Sequence, residues 1–442
     1  YTRAGTSDTR TNHTGYDSSY RVYNTLSTVS NGPAMAGYNF YDAATGRLLT
    51  KTYPTGVQVS YDYTARGFLK QLKLANAATV SPLPATAGGT PGASVNLAAG
   101  SSLWQAGIVN AWGKSEQSTL GNGVTSRASY EASRGRTLAL SAGTGTGAAA
   151  KNVLDFGHAW DSLNNLVYRA DNIGDAVAGA VTENFFYEDA LARLTKYTVN
   201  APAVPSGSRT VTLQYNALGM LLSKSDVGTY TYPVAGSARP HALATLNAVD
   251  GSTTSFSYDA AGNLVSASNG KYRNVTYTSF NLPDSQTGIQ GAPGGAYGGT
   301  AQYTWAYDES HTRIKEVRTI TGGTMAGTRT LWYLHPDNAG ALGFESEVNS
   351  PTTPTAANPA QTTNRHFLSV GGFSIGVLIT QGSLPTLTAA QLPPTLSSLT
   401  IKRLEYWHKD HLGSLAATSD HTGQVTARYA YDPFGKRRYT NG

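Results

Sequence analysis

One short phrase returns ten times along the chain: an aromatic residue, an acidic or polar residue, a few small residues, Gly, one variable residue and Leu. Tyr41-Asp42 with Gly46 and Leu48, and Tyr258-Asp259 with Gly262 and Leu264, are the plainest copies. Tyr61-Asp62 with Gly67, and Tyr130-Glu131 with Gly135, read the same way. Looser copies start at Trp160, Tyr187, Tyr215, Tyr277, Tyr307 and Tyr431. A phrase that recurs every ~20–30 residues marks one supersecondary unit used repeatedly. That interval accommodates two strands and their turns.

Each position has a physical job. The Tyr closes a strand and offers a broad face for its neighbour, with a hydroxyl able to reach water or a carbonyl. Asp accepts a hydrogen bond from the backbone two residues on. Gly supplies the positive φ of a short hairpin loop. Leu starts the returning strand on the buried face. A lone hairpin is marginal in water, so the copies must stack.

Composition agrees with an all-β chain. There are 48 Gly and 27 Tyr, and charged residues make up only 14% of the 442 residues. Tyr favours pleated surfaces, and Gly favours the turns between them. Helix is expected to be minor. With no Cys, neither disulfides nor Cys-ligated zinc can hold the fold. A net charge of +6 is dilute over this length. Its one tight basic cluster, Lys436-Arg437-Arg438, reads as a solvated surface, so no specific nucleic-acid partner is expected. Phe367–Thr380 is too short to span a bilayer, and Gly371-Gly372 within it points to a buried strand pair. The first residue is Tyr1, with no export signature after it, which suggests part of a longer chain. Low-complexity stretches at 75–101, 141–150, 200–208, 287–300 and 351–364 read as loops leaving one continuous sheet, because the phrase resumes after most of them.

Few residues invite a chemical reading. On a strand, His408 and Asp410 would share one face and His411 the other, which splits any ligand set. Asp410 and His411 are expected to satisfy turn backbone beside Leu412-Gly413. His13, His158, His241, His311, His335, His366 and His421 stand singly and suggest no site. No Ser lies in a Gly-x-Ser-x-Gly elbow. Gly291–Gly299 lacks the context of a phosphate loop. Glu345 and Glu347 are expected to be solvated. The Tyr and Trp residues read as neighbour-on-neighbour packing, with stacking on sugar rings as the alternative. No cofactor or metal is expected.

These phrases resemble YD repeats. Tyr53-Pro54-Thr55-Gly56-Val57 and Leu120-Gly121-Asn122-Gly123-Val124-Thr125 resemble the strand that precedes such a repeat. The C-terminal run resembles a block near the end of Rhs-type shells: His408, Asp410, His411, Leu412 and Gly413, then Asp420 and Gly423, then Tyr431, Asp432, Pro433, Phe434 and Gly435. The resemblance runs from about Tyr38 to the C-terminus. It implies a long β-hairpin ribbon spiralling into a hollow cocoon. It divides the chain into an incomplete region 1–37, a YD-repeat shell 38–330 and a core-associated region 331–442.

The resemblance also implies a role. Rhs proteins and the shells of insecticidal toxin complexes enclose a C-terminal toxic domain, and many carry an aspartate-based self-cleavage centre in a plug motif. Teneurins resemble the same shell and use it for adhesion. Seven residues follow Gly435, without the plug's own signature. Asp432-Pro433 is therefore not assigned as a cleavage site, and no enzyme is expected. The implied partners are a toxic domain or cargo, the remainder of the same polypeptide, a secretion apparatus and, on the adhesion reading, cell-surface carbohydrate. The implied location is secreted or at the cell surface of a bacterium. Taken alone, the chain is expected to fold poorly, because an incomplete spiral leaves strand edges unpaired.

Overall fold

A computed structural model describes residues 10–29, 32–82, 93–175, 179–203, 207–269, 274–290, 300–334, 342–387 and 396–438. Among these residues the chain is an antiparallel ribbon. Twenty strands, from Arg10–Tyr16 to Leu264–Ala267, form one sheet in which nearly every strand pairs with the next in sequence. Eleven more, from Thr276–Tyr277 to Val425–Arg428, form a second meander of the same kind. The sole described helix is a 3-10 turn at Gly147–Lys151. This is the expected all-β ribbon. The expected divisions at 37/38 and 330/331 both fall inside strands, Ala34–Tyr41 and Gly327–Leu334. The two sheets part between Leu264–Ala267 and Thr276–Tyr277, where Val275 N still donates to Val265 O at 2.9 Å.

The repeated phrase builds one hairpin turn. At Tyr258-Asp259, the Asp259 amide donates to the Asn263 carbonyl at 3.0 Å, and the Gly262 amide donates back to the Asp259 carbonyl at 3.1 Å. The Asp259 carboxylate accepts from the Asn263 amide at 2.8 Å. Gly262 sits at φ 92°, and the ladder slips between Ser257 and Tyr258. This is a three-residue loop followed by a bulge, the geometry that calls for a left-handed fourth residue. Asp410, Asp420 and Asp432 make the same turn with Gly413, Gly423 and Gly435 at φ 87°, 88° and 79°. Tyr41-Asp42 uses a loop one residue longer: Asp42 accepts from the Thr45 amide and hydroxyl at 2.7 Å, and Gly46 takes φ 71°.

The hydroxyl of each repeat Tyr then fastens one hairpin to the one before it. Tyr258 donates to Leu243 O at 2.9 Å, Tyr277 to Leu264 O at 2.6 Å, Tyr215 to Leu194 O at 3.0 Å and Tyr431 to Leu415 O at 3.0 Å. The Leu of one phrase is thus often the acceptor for the Tyr of the next. Basic residues just after the left-handed position add a second tie along the same edge. Arg21 reaches Asp42 O at 3.2 Å while lying over the Tyr41 ring, and Arg193 reaches Asn216 O at 3.1 Å over Tyr215.

Two copies shift from their expected placement. Thr64, not Asp62, opens the turn that Gly67 closes, so the aromatic residue at the turn is Tyr63, which donates to Leu48 O at 2.9 Å. Tyr61 instead packs against the core, and Asp62 pairs with Lys73 at 2.5 Å. Asp189, not Glu188, opens the turn after Tyr187. In both places the turn follows the commoner rule, with the left-handed residue three positions after the opening one, as at Asp259 and Gly262.

That rule explains unusual backbone elsewhere. Tyr20, Asn164, Ala192, Asn281 and His311 all have positive φ, between 53° and 71°, and each stands where other copies carry Gly. Left-handed backbone costs a residue with a Cβ about 1–2 kcal/mol, while Gly loses about 0.4–1 kcal/mol through the freedom of the unfolded chain. Ala192→Gly is therefore expected to stabilise the protein by about 1 kcal/mol, read as a higher urea midpoint. An unchanged midpoint would mean that strain at this position is relieved by its surroundings.

Most low-complexity stretches leave the ladder intact, as expected. Residues 75–101 do more than loop out: Ala77–Val80 pairs with Val95–Leu97, and in parallel with Ser398–Ile401, which leaves the ribbon some 320 residues later. Gln361–Val370 and Phe373–Gln381 form the expected strand pair, turning at Gly371 and Gly372 with φ 56° and 83°. The main core is a seam between early and late parts of the ribbon. Tyr53, Val57, Leu72, Leu103 and Leu120 from the first sheet lie in one cluster with Trp332, Phe344, Leu368, Leu378 and Tyr406 from the second.

Candidate functional site

The seam gathers most of the chemically notable side chains. Tyr53-Pro54-Thr55-Gly56-Val57 and Leu120-Gly121-Asn122-Gly123-Val124, expected as strands, are tight turns. Tyr53 N donates to Val57 O at 2.8 Å and Leu120 N to Val124 O at 2.9 Å, with Gly56 and Gly123 at φ 87° and 81°. The glycines force chain reversal where the flanking apolar residues suggested extension. Both turns lie on the ribbon edge that meets the late strands. Tyr53 donates to Phe367 O at 2.8 Å, Thr55 Oγ1 lies 2.6 Å from His366 Nε2, and Asn122 donates to Asp420 O at 2.7 Å and Ser419 Oγ at 3.0 Å.

Farther along, Arg428 donates to Val153 O at 2.9 Å, Arg169 to Tyr431 O at 2.8 Å, and Lys224 lies 3.6 Å from Asp432. The separations in sequence fall from 314 residues at Tyr53 to 275 at Val153 and 262 at Arg169. A ribbon returning obliquely across its own beginning produces this drift.

The C-terminal motif is built to dock on the early ribbon. Asp410 caps its turn through the amides of Leu412 at 2.9 Å and Ser414 at 2.8 Å. The strand ends at Lys409, so Asp410 is not in a strand face with His408. Neither His bonds turn backbone. His408 is buried, with Nε2 2.8 Å from Ser419 Oγ, and His411 lays its ring 4.6 Å from that of His158 and 5.9 Å from Trp160. Leu412, Gly413, Pro433 and Gly435 shape the tips; Leu412 is 75% exposed. Tyr431 and Asp432 serve as latch and cap, and Asp432 also faces Lys224.

Burial sets the electrostatics. It drives the imidazoles of His158, His366, His408 and His411 down to about 4, with neighbouring positive charge adding to this at three of them: Arg169 and His411 at His158, Arg169 at His411, and Arg428 at His408. His158 and His366, solitary in sequence, are thus seam residues. The signal missed is the single buried His on a strand otherwise apolar toward the core, as in Leu154–Trp160. Beside them, Arg169 pairs with Glu183 at 2.6 Å next to a cavity of about 30 Å³ that Asp171 and Asp410 also line. That volume holds a water or two, not a substrate.

Glu345 and Glu347 are not solvated. Arg365 bridges them, at 2.7 Å and 2.9 Å, on the sheet face opposite the core. Burial holds the Glu345 carboxyl above its usual range and pushes the Tyr333 hydroxyl up to about 12. On the same sheet the Trp305 and Tyr303 rings stack 5.8 Å apart, with Arg313 over the first and Arg318 over the second. No group of three or more His, Cys, Asp or Glu among the described residues is placed to hold a metal. Among them no helix is long and apolar enough to cross a membrane, which says nothing of strands. His335 and Gly291–Gly299 lie outside the described residues.

No family model and no curated protein matches the chain. Solved structures do. A crystal structure of TcdB2-TccC3-TEV superposes with a TM-score of 0.61 at 16% identity, covering 96% of this chain and 20% of that one. A crystal structure of TcdB2-TccC3 gives 0.58 at 15%, with 96% and 21% covered. The chain carries the Rhs/YD-repeat fold. A structure of the Photorhabdus luminescens Tc holotoxin pore with a TccC3 mutation agrees at 0.56 and 16%, with 95% and 19% covered. The chain therefore spans about a fifth of the length of these chains. At such identity the likeness concerns the fold, and the motifs at Tyr41, Tyr258 and Asp410 are where sequence and fold meet.

Proposed function

We propose that the chain is a wall segment of an encapsulating shell that encloses a C-terminal toxic domain or other cargo until delivery, and that the segment itself is not an enzyme. The observation that carries this reading is the seam: a ribbon that returns after about 300 residues to bond its own beginning is what a wall wound from one ribbon requires. Likeness to structures of Tc toxins supports the same reading. A wall confines its contents by exclusion, and its side chains then need packing and hydrogen bonds, which is how the repeat Tyr and Asp residues are used. On this reading the protein is exported from a bacterium, and its partners are the cargo, the rest of its polypeptide and a secretion apparatus.

The alternative, an adhesion or carbohydrate-binding surface, would use open aromatic faces. Arginine covers the rings of Tyr41, Tyr215, Tyr303 and Trp305, and so weakens that alternative. The test is the polypeptide as purified from its source, weighed intact and after denaturation. The expected result is a separate fragment that stays bound under native conditions and leaves only on unfolding. A polypeptide with nothing enclosed would overturn the shell reading in favour of adhesion.

A further inference from the structure

We infer that the seam is a proton-operated latch: protonation of the histidines buried between the C-terminal block and the early ribbon opens the wall there. The four histidines His158, His366, His408 and His411 all lie on this seam. Nδ1 of His408 and of His411 are buried without a hydrogen-bond partner, and His158, with both ring nitrogens buried, has one backbone carbonyl, that of Leu138, beside it. The fold holds these rings where they are as neutral groups; charged, His408 and His411 would each bury an N–H at Nδ1 without an acceptor, and His158 would have one carbonyl for its two N–H groups.

The surrounding charges sharpen this. Strand Leu166–Asp175 sets Arg169 toward both His158 and His411, and Arg428 of the late ribbon stands near His408. Asp410 opposes them at the late turn, but it already caps the amides of Leu412 and Ser414. Glu183 on Gly179–Phe186 is engaged by Arg169, and Asp171 accepts from the amides of Ile173 and Gly174. His158 and His411, 4.6 Å apart, would repel each other once charged. Protons therefore favour a state in which the turn at Asp410–Ser414 lifts away and the rings reach water.

A histidine held near pKa 4 when closed, and near 6.5 when open, shifts the closing equilibrium by about 30-fold at pH 5. The experiment is hydrogen exchange of the full chain at pH 7.5 and pH 5, corrected for intrinsic rates. Segments 154–160 and 403–420 are followed, with the hairpin 253–267 as a remote reference. Protection across the seam is expected to fall about 30-fold or more while the reference holds. His158→Phe combined with His411→Leu should reduce that difference by about 30-fold or more, His366 and His408 being left in place. Protection that survives at pH 5, or a double variant that opens as the unaltered chain does, overturns the latch. If the double variant does not fold, exchange at the imidazole C2 positions of the unaltered chain decides. Midpoints below pH 5.5 at His158 and His411 support the latch, and midpoints near 6.5 overturn it. The outcome is independent of whether a cargo is enclosed, so it can fail while the shell reading stands, or the reverse.

Discussion

Tyr406→Ala is expected to lower the stability of the chain by about 4 kcal/mol, within the range found for removing a large buried ring. Tyr406 is 1% exposed and belongs to the core shared by the two parts of the ribbon. Its hydroxyl presses against the early turn at Gly121, where an added Cβ would meet that oxygen at 2.5 Å and the Ser102 carbonyl oxygen at 2.2 Å. The early turn can therefore approach because it has no side chain, and the late strand fills the space with a ring. Gly121→Ala attacks the same contact from the other side. Because Ser102 contributes backbone, which cannot swing away, that change should cost about 2–3 kcal/mol. Urea unfolding of each variant reads both numbers. A loss under 1 kcal/mol for Tyr406→Ala would mean that the two parts of the ribbon do not unfold together.

Arg365→Leu is expected to cost about 2 kcal/mol at pH 7, since it leaves the half-buried Glu345 carboxylate without its partner, while Glu347 keeps Arg329 at 3.8 Å. Glu345 and Glu347 both turn to this guanidinium, and Glu345 is directly opposite it across the strands. Burial already holds the Glu345 carboxyl above its ordinary value, and Arg365 pulls in the other direction. Without Arg365 the folded-state value rises further. The unfolded chain then binds fewer protons than the folded one between the two values, so stability is present at low pH and lost as pH rises. The deficit of the variant relative to the parent should accordingly shrink between pH 7 and pH 5. A deficit that stays constant over that window would assign the effect to packing of the arginine stem and not to the carboxylates.

Much of the fold was legible because its determinants are local. A Tyr, an Asp and a Gly at fixed offsets define one turn whatever surrounds them, as at Tyr258, Asp259 and Gly262. Where the reading slipped at Tyr61-Asp62, the cause was also local: Tyr61 and Tyr63 both precede Gly67, and the position of the glycine, not the acid, selects between them. The ties made by Arg21 and Arg193 were legible in principle, since a basic residue follows the left-handed position in both copies, but their targets lie on a neighbouring turn.

The seam was not legible. His158 and His411 are separated by most of the chain, and nothing near either one announces the other. Glu345 and Glu347 looked solvated because Arg365, which bridges them, arrives from the next strand. By itself the sequence determined an all-β ribbon of stacked hairpins and its turns, since those depend on backbone preferences within a few residues; the carbonyl that each Tyr hydroxyl reaches lies farther off, 15 residues back at Tyr258 and 21 at Tyr215. The tertiary structure alone decided which ribbon edge meets which, and so which histidines are buried between the early and late parts of the chain. Those outcomes follow from the curvature accumulated over about 300 residues, a quantity that no single turn encodes.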